Sequence, residues 1–548
     1  MKKNSFMSGA IIATLGIIIC KVLGLVYVIP FYAVVGPLGR SLYSYAYSIY
    51  SMFVNVSTSG IPLAISKSVS EYNALEYYYT KERIYKLGKR IMIILGIVCF
   101  LLMVIFADSL ARYIIGDAVG GNNISDIAYV IRIVSTALLF VPFLSVARGY
   151  VQGEKFIQIS SAANIIEQLV RVLVVVLGSY LFIKVFNFGT VNGVAIAVFG
   201  ATIGAFIALT YILIKINKNK KYLNVNEKQK EEEKSITDNY LIKKIIIYAI
   251  PFIIIGIMKS AYCIIDTFTI VKGLTNLGFD TLTAETASSV IVTWANKFNN
   301  IVTSICLGVA ISLIPSIGSS LVKKDFKGVN DKINQAFQMI VYLTLPMAIG
   351  ISFLAEPIWT VFYGTESLVI GSSILRVCIF SAISYSMYSI LVDANQAMNN
   401  TKITFSILGS CVLLKMLLNV PMMNLLNLLN VKAYYAPAIT DILIQLTIFI
   451  VVLVIFRKKY KFAYKETFIR FLKTLLCTLV MLIVLIGVKL VLNQYLVGGR
   501  VISIVSIFIY GIIGVLIYFG VSYKMGLIND IFGKDRINSY LKKLHLRK

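Results

Sequence analysis

The chain has 548 residues, 58% of them hydrophobic and only 14% charged, which is too little polar surface to coat a water-soluble globule of that size. Its net charge of +27 raises the question of a nucleic-acid partner. The basic residues are scattered through short loops and tails, however, so no nucleic acid is expected and lipid headgroups are the partner implied. Seven cysteines (Cys20, Cys99, Cys263, Cys306, Cys378, Cys411 and Cys477) all fall in apolar segments without metal-ligand spacing, and the single histidine, His545, lies in the C-terminal tail. Neither zinc chemistry nor histidine base catalysis is expected.

At about 20 apolar residues per span, the sequence predicts an all-α integral membrane protein with 14 transmembrane helices. They fall near 6–30, 42–66, 91–111, 128–150, 157–184, 190–214, 245–271, 286–318, 336–355, 370–393, 403–425, 433–456, 468–492 and 501–523. The first follows Lys2 and Lys3, lacks a small-residue cleavage site and is predicted to end at Pro30, so it reads as a retained span. With the N-terminus cytoplasmic, roughly 38 of the 52 Lys and Arg fall in cytoplasmic tails, loops and their edges. Both termini are therefore expected inside.

The text ADSLARYIIG from Ala107 returns as AEPIWTVFYG from Ala355, each leading into an apolar segment with an early arginine, Arg132 and Arg376. RGYVQG from Arg148 likewise matches VDANQA from Val392, aligning Gln152 with Gln396. Two like halves displaced by six helices share one orientation, so they predict two parallel-related six-helix lobes with a site between them. The expected organisation is an N-terminal lobe over 1–216, a linker over 217–240, a C-terminal lobe over 241–456, two extra helices over 457–523 and a basic tail over 524–548. The linker text NKNKKYLNVNEKQKEEEKSITDN from Asn217 reads as too charged to pack and is expected to be solvated.

A charge at mid-bilayer costs about 2.5–3.5 kcal/mol on insertion scales and should face a cavity or a partner. Within the spans lie Lys21, Glu167, Arg171, Lys259, Asp266, Lys297, Lys415 and Asp441. Glu167 and Arg171 are four apart and read as an intrahelical pair. Lys259 and Lys415 read as snorkelling toward cytoplasmic ends. Lys21 and Lys297 have no acid within helical reach, which leaves them either lining a cationic cavity or paired with a distant acid such as Asp266 or Asp441. Pro62 in SGIPLAIS and Pro315 in SLIPSIG fall at equivalent places in helices 2 and 8, where each would permit a bend and serve as a hinge. The run YSYAYSIYSMF from Tyr43 reads as interface anchoring in preference to a sugar-stacking surface.

The segments CKVLGLVYVIPFYAVVG from Cys20 and STSGIPLAISKSVSEYNAL from Ser57 resemble the opening of the lipid II flippases of the peptidoglycan pathway, in the low-GC Gram-positive branch close to stage V sporulation protein B. PFIIIGIMKSAYCIIDTFT from Pro251, WANKFNNIVTSICLGVAISLIPSIGSSLVKKDF from Trp294, INQAFQMIVYLTLPMAIGISFLAEPIWTVFYG from Ile333 and NQAMNNTKITF from Asn395 extend the resemblance over most of helices 1 to 12. It implies the fold of the multidrug and oligosaccharidyl-lipid exporter superfamily. It also implies Lys21 and Lys297 at positions of functional cavity arginines, with Asn55 and Asn300 beside the substrate. Further family arginines meet Tyr27 and Val28 in helix 1, and Val54 and Asn55 in helix 2. For a sodium site between helices 7, 11 and 12, Asp266, Asn419 and Thr440 are the positional matches, while Met423 stands where a second carboxylate is expected.

The expected function is translocation of lipid II from inner to outer leaflet by alternating access, with sodium or the membrane potential as driving force and no other cofactor. Lipid II or a related polyprenyl-pyrophosphate glycolipid, membrane lipids and the cell-wall synthesis machinery are the expected partners. The alternatives are an exporter of another polyprenyl-linked oligosaccharide or amphiphile, a polytopic lipid-glycan enzyme, or a scaffold. Short outer loops without paired carboxylates or a Ser/His constellation weigh against the enzyme.

Overall fold

The computed structural model describes residues 16, 19–58, 60–116, 121–220, 222–223, 229–322, 325–398, 400–496 and 498–532. Every regular element among them is helical. In chain order these are α1 (Ile19–Val26), α2 (Val28–Thr58), α3 (Ile61–Ala74), α4 (Tyr78–Ile105), α5 (Ala107–Ile115), α6 (Ile124–Ser135), α7 (Val141–Gly153), α8 (Ile157–Leu173), α9 (Gly189–Lys218), α10 (Asp238–Asn276) and α11 (Thr281–Ser289). There follow α12 (Asn296–Val322), α13 (Phe326–Phe353), α14 (Ala355–Tyr363), α15 (Leu368–Cys378), α16 (Ser381–Ala397), α17 (Thr401–Leu428), α18 (Ala436–Tyr460), α19 (Lys465–Leu496), α20 (Arg500–Lys524) and α21 (Leu527–Phe532).

Among the described residues, eleven helices are long and apolar enough to cross a membrane, or 12 if the bent pair Ile19–Val26 and Val28–Ala74 is one span. The expected count of 14 is not reached among the described residues: the first span is described only in part, and in α12 part of the side chains lies outside the described set. Pro315 is one of these, and His545 also lies outside the described residues. The chain divides into two compact units, Met1–Thr293 and Trp294–Lys548. The first reaches past the lobe boundary expected near 241 because α10 packs on α2, α3, α4 and α5.

Several expected boundaries move. The first span was expected to end at Pro30 and helix 2 to start at 42, but the helix runs on to a break at Gly36 (φ 67°) with Pro37 behind it, so the first ends later and the second starts earlier. A positive φ suits a residue without Cβ, and proline is tolerated in a first helical turn. Pro62 does not bend a helix from within; it opens α3, with Gly60 as N-cap. A Cβ on Gly60 would lie 2.5 Å from the Ala249 carbonyl oxygen of α10.

Two glycine pairs bring helices together in the first unit. Gly149 and Gly153 of α7 lie against backbone carbonyls of α3, where a Cβ would meet Pro62 O at 2.5 Å and Ser66 O at 2.7 Å. Gly200 and Gly204 of α9 do the same to α8, at Arg171 O (3.1 Å) and Glu167 O (2.7 Å). Both are small-xxx-small contacts, which let membrane helices gain dispersion energy where no hydrophobic effect drives them together.

The repeat has a local counterpart in each unit. Helices α5 and α14 each follow a long helix after one residue and end on a glycine of positive φ, Gly116 (63°) and Gly364 (78°). Arg132 then pairs with Asp108, and Arg376 with Glu356 at 3.1 Å.

The linker expectation needs correction over 229–240. Its acidic turn, Glu231–Ser235, docks on the start of α4: buried Glu233 accepts the Thr80 N–H (3.0 Å) and the Lys230 N–H (2.8 Å). Tyr77, the N-cap of α4, offers no capping side chain, so the linker carboxylate satisfies an orphan N–H at the positive end of the helix dipole. Arg83 anchors the exit of the turn through Asp238 (2.9 Å) and the Ile236 carbonyl (2.8 Å). Nearby, Lys81 and Glu154, both fully buried, are 2.6 Å apart, and Lys81 also donates to the Leu223 carbonyl at 2.5 Å.

In the second unit the two C-terminal helices seat on a polar ladder of α13, spaced by four residues. Asn334 donates to the Ala463 carbonyl (2.8 Å), Gln338 to Thr467 (2.9 Å), and the Tyr342 hydroxyl meets Ser522 (2.8 Å). Four-residue spacing keeps all three on one helix face.

Candidate functional site

In the first unit α1 and α8 flank an open cleft of about 280 Å³ lined by Cys20, Lys21, Asn164, Glu167 and Gln168. Small residues make the approach possible: a Cβ on Gly16 would touch Ser161 Cβ at 3.2 Å, and one on Gly24 would touch Gln168 Nε2 at 3.4 Å. Positions 164, 167, 168 and 171 repeat at i, i+3, i+4 and i+7, so α8 carries one polar stripe within an otherwise apolar span.

The expected Glu167–Arg171 pair is not formed. Glu167 instead accepts from Arg148 of α7, an interhelical partner that sequence spacing could not reveal. The Arg171 guanidinium stands 4.8 Å from the Tyr47 ring centroid, a cation–π distance. Around it, Tyr43 stacks on Tyr47 at 5.7 Å and 9°, Tyr50 lies 5.9 Å from Tyr47, and the Tyr27 and Tyr43 hydroxyls are 3.2 Å apart. Tyr43, Tyr45 and Tyr50 are buried. The aromatic run is therefore an interior surface of α2, which corrects the expectation of interface anchoring. Asn55, further along α2, is exposed.

In the second unit Lys297 of α12 is part-buried, its Nζ 5.8 Å over the Trp294 ring. The Trp294 carbonyl is held by the Tyr363 hydroxyl at 2.8 Å. Asn300, one turn on, is exposed, and Asn299 donates to Ser381 at 3.1 Å. Lys21 and Lys297 thus each present a cation within their own unit.

The residues matched to a sodium site divide between the units: Asp266 is buried in α10, Asn419 and Thr440 in α17 and α18. Lys415, expected to snorkel, is fully buried and paired with Asp441, the neighbour of Thr440. Lys259 is exposed. An ammonium therefore already stands beside the two α17–α18 positions. Met423, also fully buried, offers no hard oxygen ligand of the kind such a cation takes. Within the second unit these side chains fit an internal ion pair better than a metal cage. Outside the spans, the Thr283 N–H capped by Asp280 (2.8 Å) holds that carboxyl below its usual range.

Comparison with known proteins places this architecture. A family model described as polysaccharide biosynthesis protein matches residues 6–303, and a MatE model matches 287–420. The lipid II flippase MurJ of Bacillus subtilis (strain 168) is 31% identical over 98% of this chain and 99% of its own. The chain belongs to the MurJ lipid II flippase family. Stage V sporulation protein B of the same organism is 20% identical over 68% of this chain and 69% of its own. A solved MurJ structure in an inward closed conformation superposes with a TM-score of 0.66 at 17% identity, over 94% of this chain and 99% of that one. Family membership and the many apolar helices make this a multi-pass protein of the bacterial plasma membrane.

Proposed function

We propose that this chain moves lipid II from the inner to the outer leaflet of the plasma membrane by alternating access, with no chemical step and with both termini cytoplasmic. The full-length match to a lipid II flippase carries the reading. The physical problem suits it: a pyrophosphate-sugar head loses its hydrogen bonds in hydrocarbon, whereas the prenyl tail already belongs there. Moving the tail out of lipid would cost about 0.8 kcal/mol per CH2, so only the head needs a polar route. Lys21 and Lys297 offset its charge, with Asn55 and Asn300 as hydrogen-bonding neighbours, and Pro62 at the start of α3 and Pro315 act as hinges.

An interior-negative potential favours outward movement of an anion by about 2.3 kcal/mol per charge per 100 mV. With Lys415 already beside Asn419 and Thr440, the potential is the favoured driving force, and sodium dependence through Asp266, Asn419 and Thr440 is the alternative. A second cargo, another polyprenyl-linked oligosaccharide, is favoured by one observation: a helix 1 family arginine falls on Tyr27 and Val28 and a helix 2 one on Val54 and Asn55.

Purified protein in liposomes carrying labelled lipid II tests the reading. Leaflet exchange of unaltered lipid, together with rescue of a strain depleted of its own flippase, is expected. Exchange of a different polyprenyl glycan with none of lipid II would favour the second cargo, and a chemically altered lipid would overturn transport altogether.

A further inference from the structure

The α8 stripe holds a cation that no ion pair among the described residues of its unit accounts for. Its carboxylate, Glu167, is committed to Arg148. Among the described residues no carboxylate or carbonyl accepts from Arg171, whose contact is the face of Tyr47. A guanidinium is worth keeping in a membrane span only where something offsets its desolvation, and a ring face does so in part. The Arg171 side chain is part-buried and not sealed from the surface.

We propose that Arg171, seated on Tyr47, is the phosphate-binding cation of the first unit, taking the pyrophosphate oxygens of the lipid headgroup. Resting on the flippase reading for its ligand, the proposal adds a residue from helix 5 where sequence comparison pointed only to helices 1, 2 and 8. Tyr27, which stands where a family arginine is missing, lies beside Tyr43 in the same aromatic cluster. The charge absent from helix 1 is thus supplied from α8 across that cluster. Arginine suits the task because its fork binds two phosphate oxygens at once, which a lysine at position 21 cannot do. Asn164, Glu167 and Gln168, within two turns of Arg171 on α8, line the cleft together with Lys21. The head would meet hydrogen-bonding groups there while its phosphates sit on Arg171.

The test uses full-length protein in detergent micelles and two probes: a short-tailed lipid II analogue, and the same glycan on a neutral prenyl alcohol without pyrophosphate. Arg171→Gln should weaken calorimetric affinity for the first by roughly ten- to a hundredfold and leave the second unchanged. Arg171→Lys should fall between. In the unmodified protein, the bound analogue should shield Arg171 from phenylglyoxal, read by peptide mass spectrometry, so the proposal stays testable should a variant misfold. Equal loss for both probes would indicate a structural role and overturn it. So would unchanged affinity in Arg171→Gln, or an Arg171 equally reactive with and without analogue. Failure of the unmodified protein to bind the analogue would instead overturn the flippase reading itself.

Discussion

Replacing Lys415 by Met removes the cation from a pair whose ammonium is fully buried and whose carboxylate, on Asp441, is 20% exposed. The pair lies between α17 and α18, so the remaining carboxylate would stay in a site with little water to solvate it. Breaking a buried pair from one side costs about 3–5 kcal/mol, whereas replacing both partners by apolar groups of similar volume is often neutral or stabilising. For a unit of this size about 1 kcal/mol corresponds to roughly 2–4 °C. Lys415→Met should therefore lower the melting temperature in micelles by on the order of 10 °C, and Lys415→Met combined with Asp441→Leu should recover most of it. Thermal unfolding of wild type, both single variants and the double variant gives the coupling energy directly. A Lys415→Met variant as stable as wild type, or a double variant no better than the single, would refute the reasoning. The same proteins bear on driving force: if Lys415 occupies the place of a transported cation, replacing sodium by potassium should not slow wild-type exchange.

Two further outcomes follow from close contacts in the first unit. Gly149→Ala places a Cβ 2.5 Å from the Pro62 carbonyl oxygen and should destabilise by about 1–3 kcal/mol; Gly487→Ala, with nothing within 4 Å, should be neutral or slightly stabilising through helix propensity, as denaturation in mixed micelles can check. Lys81→Met leaves Glu154 buried without its cation and should cost about 3–5 kcal/mol, while Tyr77→Phe, which removes an exposed hydroxyl bond to Glu232, should change stability by less than about 0.5 kcal/mol.

How far the sequence could be read depended on whether an interaction is local or long-range. Apolar runs located the spans because length and hydropathy are properties of a segment alone. The Asp108 and Glu356 partners of the paired arginines were within reach because the repeat aligned them. Arg148–Glu167 and Lys415–Asp441 were not, since each joins two helices whose rotation the sequence leaves open; the nearest helical neighbour, Arg171, was taken for the partner of Glu167 instead. The glycine contacts did carry a signal, G-x-x-x-G in both RGYVQG and GATIG, which points to close helix packing without naming the partner helix. The docked linker shows a different limit. High charge argued for solvation, but three consecutive glutamates next to an uncapped helix start are also what an N-terminal dipole attracts.

These pairings change what the intramembrane charges mean. From the sequence, Lys21 and Lys297 were the residues expected to face cargo, with Arg171 paired to Glu167 and Lys259 and Lys415 snorkelling. In the structure Arg148 is balanced by Glu167 and Lys415 by Asp441, so both serve to hold helices together, and mutating either would depress transport through folding. Arg171 is different: its stabilising contact is an uncharged ring, which lowers the cost of burial without cancelling the charge. Loss of a cation of that kind should reduce affinity for an anionic head at unchanged stability, and loss of a paired one should do the reverse. Measuring melting temperature beside ligand affinity for each basic residue in the spans therefore separates the transport path from the scaffold, and Arg148→Gln falling on the affinity side would show that this division of labour is drawn in the wrong place.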